Sequence, residues 1–183
     1  MVYRNPWISV REDQVLRPDG TPGIYGVVDT RTATAVIALT PDLQVYLVGQ
    51  YRYTMREYSW EVIEGGGDPG EPAIVAAQRE LKEEAGLEAE MWEPLSGPVH
   101  LSNGYSSEVG HLFLATGLRE VGAEPEATED LHLIKIPFGE ALARSTGTSR
   151  DRDARAMAFS PRRNQWTACA PRREAAARAA AAT

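Results

Sequence analysis

Positions 79–87 read RELKEEAGL and place three glutamates, Glu80, Glu83 and Glu84, at spacings i, i+3 and i+4. On a helix, residues at these spacings share one face, so the three carboxylates lie a few ångströms apart. At about 5 Å and an effective dielectric of about 20, each like-charge pair costs roughly 3 kcal/mol before relaxation. Such a face must either be splayed into water or bind a cation.

The residues around these glutamates predict an amphipathic helix that follows a glycine-rich loop at residues 64–70. Four apolar residues recur at helical spacing: Ile74, Ala77, Leu81 and Ala85. Pro72 suits the first turn, Glu71 just before it can cap the start, and Gly86 suits the position after the end. We therefore expect a loop, a helix and a sharp stop, with the carboxylates beside the apolar face.

Most of the remaining sequence before residue 143 predicts strands. WISVREDQVL and GIYGVV are separated by turn residues, and WEVIE runs directly into the glycine-rich loop. The apolar runs TATAVIALT and QVYLVGQYRY, joined by a turn at Pro41 and Asp42, predict two paired central strands. Strand character returns in MWEPL, GHLFLATGL and LHLIKIPF, and PFGEALAR predicts a short helix. The pattern indicates a mixed sheet with one well-marked helix and a weaker second one.

Length and cysteine content favour one domain in a reducing compartment. A chain of 183 residues can bury one core of ordinary size. Cys169 is the only cysteine, which excludes an intrachain disulfide and a cysteine-based zinc cluster. The N-terminus lacks the apolar stretch of a signal peptide, and no run of about 18 apolar residues occurs. We expect a cytoplasmic protein with no membrane partner.

Charge is distributed unevenly along the chain. Residues 144–183 carry nine arginines against three acidic residues, a net +6, so the total of −7 leaves −13 on residues 1–143. An acidic body is a poor partner for nucleic acid or an anionic membrane. Because residues 144–183 contain no leucine, isoleucine or valine, they predict a poorly ordered tail. Several interpretations of this tail are open. It is either a solvated appendage or a segment that folds onto the body or binds an acidic partner. Its composition reflects either a lineage-specific tail or a shifted reading frame.

The loop and helix together form the pattern G-x5-E-x7-R-E-U-x-E-E-x-G-U, with U apolar, from Gly65 to Leu87. This pattern resembles the signature of Nudix hydrolases at every defined position. The resemblance implies an α+β fold, an α/β/α sandwich with a mixed sheet, a catalytic loop–helix–loop and N-terminal antiparallel strands. It also implies bound Mg²⁺, for which Mn²⁺ can substitute, because hard cations take closely spaced carboxylates.

The resemblance assigns roles to the residues of this motif. Glu80 and Glu84 are implied metal ligands, and Glu83 is a ligand or positions the catalytic water. Arg79 and Glu71 support the cluster, and Arg79 and Glu83 are grouped with the catalytic residues. At the start of the motif the sequence reads Glu64-Gly65-Gly66, which places Glu64 among the candidate ligands and the two glycines against the substrate. The alternative for the glutamates is a solvated acidic face.

Residues outside the motif resemble the subfamily of ADP-ribose and nucleotide-sugar pyrophosphatases. VGQYRYTMREYSWEVIEGGG, LSNGYSSEVGHLFLATGL and the N-terminal strands carry this likeness, which covers residues 5 to about 142. Asn103 stands where many ADP-ribose enzymes have proline, and the Glu-Gly-Gly-Gly form resembles the branch that includes GDP-mannose hydrolases. ADP-ribose and GDP-mannose are therefore both candidate substrates.

Four further residues are candidate substrate contacts by this resemblance. Arg52 matches a phosphate-binding position, and a guanidinium suits a diphosphate. Its alternative is an exposed salt bridge at a strand end. Trp7 and Tyr25 are candidates to stack on the base, unless they only pack in the sheet. Glu108 is a candidate to orient the substrate or a metal-bound water.

The subfamily also needs a carboxylate outside the motif, on a loop, to activate water. GAEPEATEDLH has the required character. The resemblance favours Glu126 as the general base and Glu129 as a possible metal ligand, with Glu124 as a substitute. The alternative is a charged loop that only aids solubility.

The function implied is Mg²⁺-dependent hydrolysis of a nucleoside diphosphate sugar to a nucleoside monophosphate and a sugar phosphate. Rival interpretations are a nucleotide-sugar sensor that regulates a partner, and a Nudix hydrolase of dinucleoside polyphosphates or damaged nucleotides. The expected organisation is N-terminal strands at 1–30 that form a homodimer, a catalytic domain at 31–143, and the tail at 144–183.

Overall fold

Eleven strands and two helices are present in a computed structural model that describes residues 1–123 and 130–145. The strands are β1 (Tyr3–Arg4), β2 (Ile8–Leu16), β3 (Pro22–Thr30), β4 (Ala33–Ala38), β5 (Gln44–Arg52), β6 (Glu57–Glu61), β7 (Ile63–Gly66), β8 (Leu87–Pro94), β9 (Val99–His100), β10 (Val109–Glu120) and β11 (His132–Pro137). The helices are α1 (Ala73–Ala85) and α2 (Phe138–Ser145). Both predicted helices and the N-terminal antiparallel strands are confirmed.

The strands form three sheets. The N-terminal sheet is antiparallel, in the order β1-β2-β3. A mixed sheet has the order β7-β4-β10-β8, in which β4 and β10 are parallel and β9 adds to β10. The third sheet, β11-β5-β6, is antiparallel. The mixed sheet and the two helices confirm the predicted α+β class.

The predicted pairing of the two central apolar strands is wrong. β4 pairs with β7 and β10, whereas β5 pairs with β11 and β6. Between the two runs there is only the isolated bridge of Leu39 with Val45. WEVIE also divides at Val62, so that β6 and β7 belong to different sheets. Strands with apolar residues on both faces carry no alternation that selects a partner.

The helices pack on largely different strands. α1 contacts mainly β7, β4 and β8, and makes smaller contacts with β10 and β5, while α2 contacts β11 and β5. One buried cluster joins α1 to the sheets: Val36, Ala38, Val48, Ile63, Ala77, Leu81, Ala85, Leu87, Phe113 and Ala115. A second cluster includes Val45, Leu47 and Ile136, with Ala141 of α2 packed against it. The first cluster fixes α1, and therefore its glutamates, against β7.

The ends of α1 agree with the sequence only in part. Gly86 ends the helix with φ of 64°, and its N–H donates to the carbonyls of Leu81 and Lys82, as predicted. The predicted cap by Glu71 is wrong, because Pro72 is the N-cap residue and no side chain caps this end. The Glu71 carboxylate accepts hydrogen bonds from Asp68 and Arg79 instead.

The N-terminal sheet is hydrogen-bonded to the loop that precedes β10. The Val28 N–H donates to the Tyr105 carbonyl at 2.8 Å, and the Ser107 N–H donates to the Val28 carbonyl at 3.0 Å. The Tyr25 hydroxyl donates to the Gly104 carbonyl at 2.7 Å. β3 therefore holds the loop that leads to Glu108.

No helix within the two described ranges is both long and apolar enough to span a membrane. The predicted tail from residue 146 onward lies outside these ranges.

Candidate active site

β7 and α1 bring two glutamates of the motif against the glycine-rich segment. The Glu64 N–H on β7 donates to Oε2 of Glu84 at 3.3 Å, and Glu84 is 7% exposed. A Cβ added at Gly65 would lie only 2.0 Å from Cδ of Glu80. Glycine is required at position 65 because it leaves the space that the Glu80 carboxylate occupies. The structure therefore places Glu80 against Gly65 and Glu84 against the backbone of Glu64, while the Glu64 carboxylate accepts from Arg52.

Arg79 holds the acidic face of α1 in place. Its Nη1 donates to Oε1 of Glu80 and to Oε2 of Glu83, both at 2.8 Å. Its Nη2 donates to the Gly66 carbonyl at 2.9 Å. Although burial opposes the charged form, hydrogen bonds to Glu71 and Glu83 and the charge of Glu80 raise the pKa of the Arg79 guanidinium. One cation thus offsets the repulsion between two adjacent glutamates and ties both to the glycine-rich loop.

Glu71 links this arginine to the loop. Its Oε2 accepts from the Asp68 N–H at 2.9 Å and from Nη2 of Arg79 at 3.4 Å. The hydrogen bond from Asp68, followed by that from Arg79, lowers the pKa of Glu71. Glu71 therefore fixes the loop to the helix.

Arg52 lies beside the carboxylates, at the end of β5. Its Nε donates to both oxygens of Glu61, at 3.0 and 2.9 Å, and its Nη2 donates to Glu61 and Glu64. The hydrogen bond to Glu61 is the main cause that raises the pKa of Arg52, and the charges of Glu64 and Glu84 add to it. The structure thus shows the ion pair at a strand end that was the alternative for Arg52, and its binding of phosphate stays a prediction. Glu61 is a partner that sequence reasoning missed.

The acidity of Glu64 reflects its crowded surroundings. Partial burial, then the neighbouring charge of Glu61, raise the pKa of Glu64 despite the opposite effect of Arg52. The charge of Glu108 contributes in the same direction, so Glu108 is close enough to act on this cluster. The Glu108 N–H donates to Oγ of Ser106 at 3.0 Å, which orients the start of β10.

The predicted stacking residues lie on the N-terminal sheet and are exposed. Trp7 is 68% exposed and Tyr25 is 47% exposed. Arg31 links this sheet to the glycine-rich loop, because its Nη1 donates to Asp68 at 3.0 Å and its Nη2 to the Pro6 carbonyl at 3.4 Å. Neither Trp7 nor Tyr25 is buried in the core, so both remain candidates for contact with a ligand or a second chain.

The loop carboxylates Glu124, Glu126 and Glu129 lie outside the described residues, so their predicted roles stay predictions. Within residues 1–123 and 130–145, no three His, Cys, Asp or Glu side chains are arranged as a ready-made metal cage. The donor set at Gly65 nevertheless fits a hard divalent cation, because it offers carboxylate oxygens and no sulfur or imidazole. Mg²⁺ keeps several waters and takes one or two protein carboxylates together with substrate phosphates.

A cleft of about 570 Å³ opens along α1 beside this cluster. Arg79 and Glu83 line it from the helix, together with Lys82, and Glu88 and Trp92 line it from β8. Glu83 therefore borders open space, in contrast to the buried Glu84.

Comparison with protein families matches two models to this chain. The nucleoside diphosphate sugar hydrolase N-terminal domain matches residues 1–28, and the NUDIX domain matches residues 29–156. The second match covers more than half of the chain and contains the complete motif from Gly65 to Leu87.

Comparison with known proteins gives relatives along most of the chain. The chain is 39% identical to the ADP-ribose pyrophosphatase of Mycobacterium tuberculosis over 140 aligned residues. The alignment covers 74% of this chain and 67% of the relative. The chain is 34% identical over 143 residues to the methanol dehydrogenase activator of Bacillus methanolicus, in an alignment that covers 77% of each. A crystal structure of an ADP compounds hydrolase superposes with a TM-score of 0.70 at 25% identity, over 83% of this chain and 80% of that one.

The fold prediction is confirmed by this superposition, and the family models agree with the carboxylate cluster and with the N-terminal strands. The chain is a pyrophosphohydrolase that belongs to the Nudix hydrolases, in their subfamily of ADP-ribose and nucleoside diphosphate sugar pyrophosphatases.

Proposed function

We propose that this protein hydrolyses the diphosphate of nucleoside diphosphate sugars, with ADP-ribose and GDP-mannose as the first candidates, in a Mg²⁺-dependent reaction. The observation that carries the proposal is the packing of Glu80 against Gly65 and of Glu84 against the Glu64 backbone, with Arg52 bound to the Glu64 carboxylate. Carboxylates and a guanidinium at one place suit a ligand that brings cations and phosphate oxygens together.

Each group has a separate task in this reaction. Arg52 binds the diphosphate and orients it, while Arg79 keeps Glu80 and Glu83 at a fixed separation. When bound, Mg²⁺ supplies charge neutralisation at phosphorus and lowers the pKa of a coordinated water. Glu108 orients the substrate or that water from the start of β10. Products are a nucleoside monophosphate and a sugar phosphate.

The general base belongs to the acidic loop. We infer that Glu126 accepts the proton of the attacking water, with Glu129 as a further ligand and Glu124 as the substitute. The sequence GAEPEATEDLH, which follows β10, supports this role because it offers several carboxylates outside the Nudix motif.

We also propose a homodimer formed by the N-terminal strands, in which Trp7 and Tyr25 contact the base. Leu16 is 76% exposed and Ile24 is 59% exposed on the same sheet. These exposed apolar side chains support an interface with a second chain. Sedimentation of the intact chain should give twice the monomer mass of 20.0 kDa. Cytoplasmic location stays a prediction, to be checked by cell fractionation.

The function is tested by a turnover panel of nucleotide sugars, dinucleoside polyphosphates and oxidised nucleotides, with Mg²⁺ and Mn²⁺. We expect phosphomonoester products from ADP-ribose or GDP-mannose that phosphatase then releases as inorganic phosphate. Glu84→Gln should lose nearly all turnover, whereas the exposed Glu93→Gln on β8 should keep it. Full activity in Glu84→Gln would overturn the assignment of Glu84, and a preference for the other substrates would replace the sugar assignment.

A regulatory role is the second candidate, because one relative is described as a methanol dehydrogenase activator. A sensor would bind nucleotide sugars without consuming them. Measurable turnover at ordinary enzyme concentration would eliminate that reading.

A further inference from the structure

We propose that Glu61 is a positioning residue that holds Arg52 in the orientation needed to bind the diphosphate. This inference rests on the proposed function of the site. Glu61 lies on β6, outside the Nudix motif, and its effect on the reaction is exerted through the arginine.

The register of the sheet shows why Arg52 needs such a partner. Arg52 lies opposite Glu57, whereas Glu61 lies opposite Val48, four residues further back along β5. Four residues span about 13 Å of extended strand. The Arg52 side chain must therefore fold back along the face of the sheet to reach Glu61. Without that carboxylate, the guanidinium at the strand end would be free to extend into water.

The contact is well formed for this task. Nε of Arg52 donates to Oε1 and Oε2 of Glu61 at 3.0 and 2.9 Å, and Nη2 adds a third bond. The Glu61 side chain is only 17% exposed, compared with 33% for that of Arg52. Glu61 is therefore the more buried partner, and it holds the guanidinium through three hydrogen bonds.

Arg52 has donors that the contact with Glu61 does not use. Nη2 also donates to Glu64, but Nη1 donates to no acceptor within the described part of the chain. Since a guanidinium carries five N–H donors, the Glu61 contact leaves hydrogens for a phosphate. Glu64 belongs to the proposed cation site, where its oxygens would bind the metal. Glu61 is then the carboxylate that continues to hold Arg52.

The test is a double-mutant cycle with a matched control. Glu61→Gln keeps the shape of the side chain but removes its charge, and it should lower kcat/KM for the preferred nucleotide sugar about tenfold, mainly through KM. In an Arg52→Ala background the same change should have less than about a twofold effect, because the residue it positions is gone. Glu57→Gln, directly opposite Arg52 and exposed, should behave like the wild type. Glu61→Asp should recover part of the loss.

Binding of ADP in the presence of Mg²⁺, measured by calorimetry, separates this inference from the proposed function. If no nucleotide sugar is turned over but Glu61→Gln still weakens ADP binding about tenfold, the function fails and the inference stands. The inference is overturned if the wild type does not bind ADP. It is also overturned if Glu61→Gln binds ADP as tightly as the wild type, if the losses from Glu61→Gln and Arg52→Ala simply add, or if Glu57→Gln is equally damaging.

Discussion

Replacement of Gly65 by alanine would test whether the site depends on the space beside Glu80. The added Cβ would lie 2.0 Å from Cδ of Glu80 and 2.3 and 2.5 Å from its oxygens. Ordinary contacts begin at 3.4 Å, so the carboxylate must retreat from its place. The atom that gives way is the end of a flexible side chain, and α1 itself can stay where it is.

The expected effect is therefore large for catalysis and small for stability. A misplacement of about 1 Å at a reacting centre costs on the order of a hundredfold in rate. The Nη1 bond of Arg79 to Glu80 would weaken as well, and a charge-assisted bond contributes about 1.5–3 kcal/mol. We expect kcat to fall about a hundredfold and the free energy of unfolding to fall by no more than about 2 kcal/mol.

Gly67→Ala is the matched control, two residues along the same loop. Its added Cβ would meet Ala76 at 3.6 Å, which is ordinary contact. Steady-state turnover of the preferred nucleotide sugar and urea unfolding should be measured on both variants. The reasoning is refuted if Gly65→Ala keeps kcat within about threefold of the wild type, or if Gly67→Ala loses as much activity.

Three further outcomes are expected. Gly86→Ala should destabilise the protein by more than about 2 kcal/mol in urea unfolding, because its φ is 64° and its Cβ would lie 2.4 Å from the Ala123 nitrogen. Gly70→Ala, with φ of 84° and open space around it, should lose only about 1 kcal/mol, and equal losses would remove the argument from the close approach. Because the folded state lowers the pKa of Glu71, its stabilising effect is present above its ordinary value of 4.5 and disappears as pH falls through the lowered value. Acid titrations of unfolding should therefore be shallower below pH 4.5 in Glu71→Gln than in the wild type, and identical slopes would contradict this. Arg79→Lys should lower kcat roughly tenfold to a hundredfold, because an ammonium cannot span the same set of acceptors, and retained activity would show that the clamp is dispensable.

The motif helix was predictable because its signals are local. Apolar spacing, Pro72 and Gly86 define α1 within one stretch of chain, and the spacing of Glu80 and Glu84 already places their carboxylates side by side. The position of the cluster against β7 is also implied once the chain is recognised as resembling a family with this motif.

Strand partners were not predictable in the same way. β4 and β5 are both apolar on two faces, so the sequence offers no register, and a short turn between them favours a hairpin that does not form. The parallel pairing of β4 with β10 depends on residues more than seventy positions away. Which strands pair is decided by how the whole sheet is buried. A short stretch of sequence does not contain that information.

The role of Glu61 was hidden for a related reason. From sequence alone, a glutamate in a short strand is expected to face solvent. Arg52, the partner of Glu61, is also not opposite Glu61 in the strand register. The misassigned cap at Glu71 has a local origin, since its carboxylate accepts from the Asp68 N–H at 2.9 Å and from Arg79 at 3.4 Å instead of from the start of the helix.

The hydrogen bonds between Val28 and the loop at 105–107 have a consequence for how members of this family can be recombined. Because the backbone of β3 and that loop hold each other, the N-terminal sheet is not an exchangeable module. A sheet grafted from a relative must either reproduce the course of β3 at Val28 or bring its own version of the loop, and a chimera that does neither should misplace Glu108 while leaving the Nudix helix intact.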